Sequence, residues 1–161
     1  MKASTILLIE DCSADARLLQ LAFKKWGVIN RLCVVEDGAA AIDYLSGRGV
    51  YRNRAQYPLP GLVLLDLSLP KISGGEVLQW LRSQPEFGQL PVVIFTGFED
   101  RGRLDEAHRL GANAILIKTA DRQKLRLAIE DLNAFVLAPH HPDSVIRCTE
   151  PVTRSERQPF A

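Results

Sequence analysis

The stretch LVLLDLSLP, residues 62–70, decides the fold of this chain. Its four consecutive apolar residues, 62–65, are too few for a helix of ordinary length, and Gly61 before them and Pro70 after them bound a strand buried on both faces. Asp66 follows at the point where that strand should end. Ligands of open parallel sheets bind at the carboxyl ends of the strands, so this carboxylate is placed for chemistry.

Outward from this strand, strand-like and helix-like segments alternate along the chain. Short apolar runs predict the strands, and apolar residues at three- and four-residue spacing predict the helices. Five such units imply an α/β fold, a doubly wound parallel sheet with helices on both faces, and the flavodoxin-like strand order 2-1-3-4-5 fits five strands. The predicted strands are 5–9, 31–36, 62–65, 90–95 and 114–117, and the predicted helices run from an N-cap at Ser13 to Gly27, over 37–46, from about Gly74 to Pro85, over 99–110, and from about Leu125 to Pro139.

Composition narrows the function. The chain has 161 residues, enough for one domain with its own core, and its 20 Lys and Arg nearly balance its 19 Asp and Glu. Because these charges nearly cancel, the protein has little net positive charge to attract the phosphate backbone, and nucleic-acid binding is disfavoured. No apolar run approaches the ~18 residues of a membrane span, and Cys12, Cys33 and Cys148 cannot all pair internally. We therefore expect a cytoplasmic protein that contacts neither nucleic acid nor membrane.

Polar residues follow four of the predicted strands. Glu10 and Asp11 come after the first strand, Asp66 after the third, Thr96 after the fourth and Lys118 after the fifth. The strand order 2-1-3-4-5 places the first and third strands side by side at the switch point of the sheet. We therefore expect all five side chains to converge at one crevice.

The residue types in this crevice indicate phosphoryl chemistry. Three clustered carboxylates cannot all stay ionised without a partner, and their hard oxygens suit Mg²⁺. The ammonium of Lys118 and the hydroxyl of Thr96 suit phosphate oxygens. Asp66, central in the sheet, is then the nucleophile that forms an aspartyl phosphate.

These residues carry a resemblance to a known family. The chain resembles the receiver domain of two-component response regulators from about residue 5 to residue 136. More narrowly, PLPGLVLLDLSLPK, GGEVLQWLRSQPEF and LPVVIFTG resemble the small single-domain regulators that serve bacterial and cyanobacterial phytochrome kinases. The features that carry the resemblance are Glu10-Asp11, Asp66 with Pro70 four residues on, Thr96-Gly97, and Lys118.

The resemblance implies a role for each matching residue. Asp66 would take a phosphoryl group from a kinase histidine. Asp11 and Asp66 would bind Mg²⁺ directly, Glu10 through water, and Ser68 through its backbone carbonyl. The side chains expected to contact the phosphoryl oxygens are those of Thr96 and Lys118.

The same resemblance implies how the protein works. It would be a stand-alone response regulator, a phosphoprotein rather than an enzyme, that signals through protein–protein contacts. Separately from the resemblance, we expect a homodimer. Its phosphoryl donor would be a sensor histidine kinase, and the narrower match points to a bacteriophytochrome. The downstream phosphotransfer or effector protein is left open.

Two positions depart from the family pattern and keep alternatives open. Thr119 follows Lys118 where proline in a cis peptide is usual, so this bond is either trans within a reshaped loop or strained. Ile115 stands where an aromatic switch residue is common. A receiver-like scaffold that works without phosphorylation is therefore one alternative.

Two other classes of protein are disfavoured. An aspartate-nucleophile phosphohydrolase is disfavoured because Ser68 stands where its second acid should be. A flavin protein is disfavoured because the segment EDCSAD, residues 10–15, is acidic.

Two segments lie outside this pattern. Residues 47–61 form a long loop with alternating arginines and tyrosines, either a solvated insertion or a contact for a partner or a nucleic-acid backbone. We assign residues 1–138 to the receiver domain and 139–161 to a tail. The tail is either disordered or, through residues 144–148, an arm that adds to a neighbour's sheet edge.

Overall fold

The protein is an open parallel sheet covered by helices on both faces. A computed structural model describes residues 4–97 and 100–137. The strands of this part of the chain lie in the order 2-1-3-4-5 and all neighbours are parallel, so the predicted fold class is confirmed. The strands are β1 (Thr5–Ile9), β2 (Leu32–Val35), β3 (Pro60–Leu65), β4 (Val92–Thr96) and β5 (Ala114–Ile117), and the helices are α1 (Ser13–Lys25), α2 (Gly38–Ser46), α3 (Gly74–Ser83), α4 (Arg101–Arg109) and α5 (Arg122–Leu137).

Successive residues of β3 point into two different cores. Leu62 and Leu64 pack with α1 and α5, whereas Val63 and Leu65 pack with α2, α3 and α4. Because both faces of the strand are covered, every position is apolar and no polar alternation appears. The run that predicted a buried strand therefore marks the middle of the molecule.

Some predicted boundaries shift for local reasons. Ser13 is not the N-cap of α1 but its first residue, because the N-cap position is taken by Cys12. Strand β4 begins at Val92 rather than residue 90, since Pro91 has no N–H to donate to the ladder. At its other end β4 extends one residue further than predicted, so Thr96 is the last residue of the strand and not the residue after it. Helix α4 begins at Arg101, with Asp100 as its N-cap.

The long loop after α2 is packed against the domain. The Arg54 guanidinium donates to the carbonyl oxygens of Tyr44 (2.7 Å), Leu45 (2.7 Å) and Tyr57 (3.3 Å), and so satisfies carbonyls at the end of α2. The rings of Tyr44, Tyr51 and Tyr57 lie 5.1–5.9 Å apart, centroid to centroid. These residues hold the loop in place, while a partner contact by its exposed arginines stays a prediction.

The predicted tail and its arm, residues 139–161 and 144–148, lie outside the described residues. The predicted domain boundary at residue 138 falls there as well. None of the helices within 4–97 and 100–137 combines the length and apolar character needed to cross a membrane.

Candidate functional site

Backbone hydrogen bonds extend the sheet by one residue beyond the strand ends and position the residues of the site. Each of these bonds joins the amide N–H of a site residue to the carbonyl oxygen at the end of a neighbouring strand. The side chains that follow β1, β3 and β5 are thereby held at one edge of the sheet. The three bonds are Glu10 N–H to Val35 O (3.0 Å), Asp66 N–H to Ile9 O (3.1 Å) and Lys118 N–H to Thr96 O (2.8 Å).

Three carboxylates meet at the switch point between β1 and β3. Glu10, Asp11 and Asp66 each offer a carboxylate oxygen, and these oxygens lie within 4.8 Å of one another. Glu10 and Asp66 are buried, whereas Asp11 is exposed, so the cluster is open to solvent on one side. Hard oxygen ligands at this spacing fit Mg²⁺ or Mn²⁺. The structure thus brings the three predicted acids together.

The ammonium of Lys118 lies among three carboxylates. It is ion-paired with Glu10 Oε2, lies 2.9 Å from Asp66 Oδ2, and lies 3.0 Å from Asp15 Oδ2. A lysine ammonium has three N–H donors, so one carboxylate is available for each of them. The ring of Phe95 adds a cation–π contact at 5.3 Å from its centroid.

Burial and pairing act in opposite directions on the ionisation of this cluster. Burial alone would lower the pKa of Lys118, but its bonds to Glu10, Asp66 and Asp15 outweigh burial and raise that pKa above its usual range. Burial raises the pKa of Glu10 to about 7, against the opposing effects of Lys118 and the Cys12 amide. Lys118 therefore stays a cation at neutral pH.

The Asp66 carboxylate is held through both oxygens. Its Oδ1 accepts the Ser68 amide N–H at 3.0 Å, and its Oδ2 faces Lys118. The Ser68 carbonyl as a metal ligand stays a prediction. Thr96 is fully buried at the end of β4, paired in register with Ile117 of β5.

The two departures from the family pattern have local explanations. The Lys118–Thr119 peptide bond is trans. The Thr119 hydroxyl accepts the Asp121 N–H at 3.1 Å, and Asp121 accepts the Gln123 and Lys124 amides at the start of α5. Thr119 thus forms part of a turn that leads into the helix. Ile115 is half-buried and packs against the core shared with α4.

Asp15 is the residue of the site that the sequence-based prediction missed. It lies in the first turn of α1, where an acidic residue usually indicates only a favourable interaction with the helix dipole. Its separation from Lys118 by 103 residues hides the pairing. The available signal was its place at the start of the predicted helix that directly follows the Glu10-Asp11 pair.

The chain is similar to proteins of known family. The family model for the response regulator receiver domain matches residues 6–130, a span that contains all of the site residues. The chain belongs to this family. Among curated relatives of the receiver, response regulator Rcp1 of Synechocystis sp. is 35% identical over 132 residues, which cover 82% of this chain and 88% of Rcp1. The probable methanogenesis regulatory protein FilR2 of Methanothrix harundinacea is also 35% identical over 132 residues, covering 82% of this chain and 83% of FilR2.

Solved structures of response regulators are similar to this receiver in sequence identity as well as in fold. The Mn²⁺-bound form of Rcp1 is 33% identical, with a TM-score of 0.74 over 86% of this chain and 97% of that one. The phosphorylated cyanobacterial phytochrome response regulator RcpA is 33% identical, with a TM-score of 0.75 over 84% and 94%. The bacteriophytochrome response regulator AtBRR is 37% identical, with a TM-score of 0.70 over 84% and 96%. The receiver is thus similar over nearly their whole length to regulators described with a metal ion, a phosphoryl group or a phytochrome.

Proposed function

We propose that this receiver is a stand-alone response regulator that accepts a phosphoryl group on Asp66 and signals by binding other proteins. The observation that carries the proposal is the environment of Asp66. Its carboxylate is buried at the end of β3, bonded to the Ser68 amide through one oxygen and to Lys118 through the other, with two further acids beside it. A nucleophile, a cation and a metal-ligand set are the parts that phosphoryl transfer needs.

The acidic cluster fits a divalent cation. Glu10, Asp11 and Asp66, with the backbone carbonyl of Ser68, would hold Mg²⁺. Bound Mg²⁺ supplies positive charge that offsets the charge on phosphoryl oxygens. Near-full coverage of the Mn²⁺-bound Rcp1 structure supports this assignment.

The transfer step follows from the chemistry of Asp66. One carboxylate oxygen attacks the phosphorus of a phosphohistidine on the donor kinase. An O–P bond forms while the N–P bond breaks, and the electron pair stays on the imidazole nitrogen, which then takes up a proton. Lys118 and Thr96 donate to the phosphoryl oxygens, and burial of Asp66 limits the access of water to the product.

We propose a sensor histidine kinase of the bacteriophytochrome type as the phosphoryl donor, in the cytoplasm. The likeness to RcpA and AtBRR supports this choice, because both are described as phytochrome or bacteriophytochrome regulators. A homodimer and the absence of nucleic-acid contacts belong to the same proposal. The near balance of 20 basic and 19 acidic residues supports the latter.

A second candidate is a receiver-like scaffold that works without phosphate. It is favoured by Thr119 and Ile115, which replace a proline and an aromatic residue in the segment that normally transmits the signal. The two candidates differ in whether Asp66 is modified.

Chemical phosphorylation separates these candidates. The protein is incubated with Mg²⁺ and acetyl phosphate, and its intact mass is measured. We expect one added phosphoryl group, stable in acid and labile in base, that is absent from Asp66→Asn and present in Asp43→Asn, a control on the exposed side of α2. An unmodified parent protein, under conditions that modify another receiver, would leave the scaffold as the better reading.

A further inference from the structure

Asp15 gives Lys118 a partner that lies outside the sheet. The Asp15 carboxylate comes from the first turn of α1, and its Oδ2 lies 3.0 Å from Lys118 Nζ. The other two partners, Glu10 and Asp66, follow strand ends. The ammonium therefore bridges α1 to the edge of the sheet.

Lys118 Nζ is hydrogen-bonded to Asp15 and Asp66 and ion-paired with Glu10, so a phosphoryl oxygen at Asp66 must compete with carboxylates for the ammonium. The side chains of Glu10 and Asp66 are 0% and 5% exposed, whereas that of Asp15 is 37% exposed. Phosphorylation converts the Asp66 carboxylate into an acyl phosphate, so Glu10 and Asp15 are the anions that still compete for Lys118. Glu10 is buried and would be left without a compensating charge if it lost Lys118, whereas the Asp15 side chain can rotate into solvent. Asp15 is consequently the partner that is released at the lowest free-energy cost.

We propose that Asp15 is a positioning residue that competes with the phosphoryl group for Lys118 and thereby weakens the phosphorylated state. This inference rests on the proposed function, since it assumes that the group arrives at Asp66. Asp15 acts in two ways: it holds the ammonium toward α1, and it adds a negative charge near the incoming phosphoryl oxygens. Both effects oppose the phosphorylated state.

Beryllofluoride, a phosphoryl analogue, tests the inference at saturating Mg²⁺. We expect Asp15→Asn to bind it about two- to fivefold more tightly than the parent, the effect of removing one half-exposed ion-pair partner. Asp15→Glu should restore affinity toward the parent value. Mg²⁺ alone should bind Asp15→Asn no more tightly than the parent. The variant has lost a negative charge near the metal site, and Lys118, without Asp15, can move closer to the carboxylates that would bind the metal.

The contrast between tighter beryllofluoride binding and Mg²⁺ binding that is not tighter separates positioning from structural support. Loss of the helix-dipole interaction at Asp15 would lower stability in urea but would not tighten beryllofluoride binding. Asp43→Asn on α2 changes net charge equally and should leave both affinities at the parent values.

The outcomes also separate this inference from the proposed function. Parent protein that binds beryllofluoride, together with unchanged or weaker binding by Asp15→Asn, would overturn the role of Asp15 alone. Parent protein that does not bind beryllofluoride would overturn both proposals.

Discussion

A Cβ atom on Gly74 would lie 2.2 Å from the backbone carbonyl oxygen of Asp66 and 2.7 Å from the Cα of Leu67. Helix α3 thus begins in direct contact with the backbone that carries the proposed acceptor. This position requires glycine for close approach, since both contacting atoms belong to the backbone and cannot move aside. The helix is also tied to the same segment by the Gly74 N–H, which donates to the Leu67 carbonyl at 3.3 Å.

Gly74→Ala should therefore damage both stability and phosphorylation. We expect a loss of about 3 kcal/mol in the free energy of unfolding, measured in urea, because a backbone clash forces β3 and α3 apart. Gly75→Ala is the matched control, since its Cβ would meet nothing closer than 3.9 Å. Equal stability of the two variants would contradict the packing argument.

Removing the cation at the centre of the site should change two properties in opposite directions. Lys118→Met is expected to bind Mg²⁺ about tenfold more tightly, because the metal no longer competes with an ammonium beside Glu10 and Asp66. Modification by acetyl phosphate should fall in the same variant. Calorimetry and intact mass measure the two effects, and Lys124→Met, at an exposed position of α5, serves as the control. Weaker Mg²⁺ binding by Lys118→Met would argue against the site.

The docking of the long loop depends on one arginine. Arg54→Ala removes three hydrogen bonds to backbone carbonyls, and we expect it to lower the free energy of unfolding by about 2 kcal/mol. The neighbouring Arg52 is exposed, and Arg52→Ala should change stability by less than about 0.5 kcal/mol. Urea denaturation compares the two. Similar values for both would mean that the loop contributes little to stability.

We predict that the capping box at the N-terminus of α3 makes the free energy of unfolding depend on pH. Ser73 N–H donates to Glu76 Oε2 at 2.7 Å, and this bond, together with the Ser73 side chain, holds the pKa of Glu76 below its usual value of 4.5. Glu76 N–H donates to Ser73 Oγ at 3.2 Å and completes the capping box. A carboxylate with a lowered folded-state pKa adds stability above its unfolded pKa and loses it as the pH falls through the folded pKa.

Glu76→Gln removes this titrating charge. Its stability deficit relative to the parent should be present near pH 7 and should shrink as the pH falls below 4.5 and through the lowered folded-state pKa, as measured by urea denaturation at each pH. A deficit that is independent of pH would contradict the assignment.

The local pattern of the chain is enough to predict most of the fold. Residues 5–9 and 114–117 are confirmed as strands at the predicted bounds, because a strand covered on both faces reads as a nearly continuous apolar run and the charged residues after it mark its end. Alternation of strands and helices, with right-handed crossovers, then leads to the sheet order. The meeting of Glu10, Asp11 and Asp66 follows from that order, since strand ends of a parallel sheet share one edge.

The sequence by itself therefore determined the sheet, its order and the three acids that meet at one edge of it. Only the tertiary structure decided that Asp15 pairs with Lys118, that Arg54 docks the long loop, and that Thr119 shapes a turn beside Lys118. The first two depend on how a helix or a loop packs against elements distant in the chain, and the third depends on the trans Lys118–Thr119 peptide bond. Neither local periodicity nor residue type specifies these features. Asp66 illustrates both sources: its place beside Glu10, Asp11 and Lys118 follows from the strand order, but the pairing of its neighbour Lys118 with Asp15 depends on how α1 packs against the sheet.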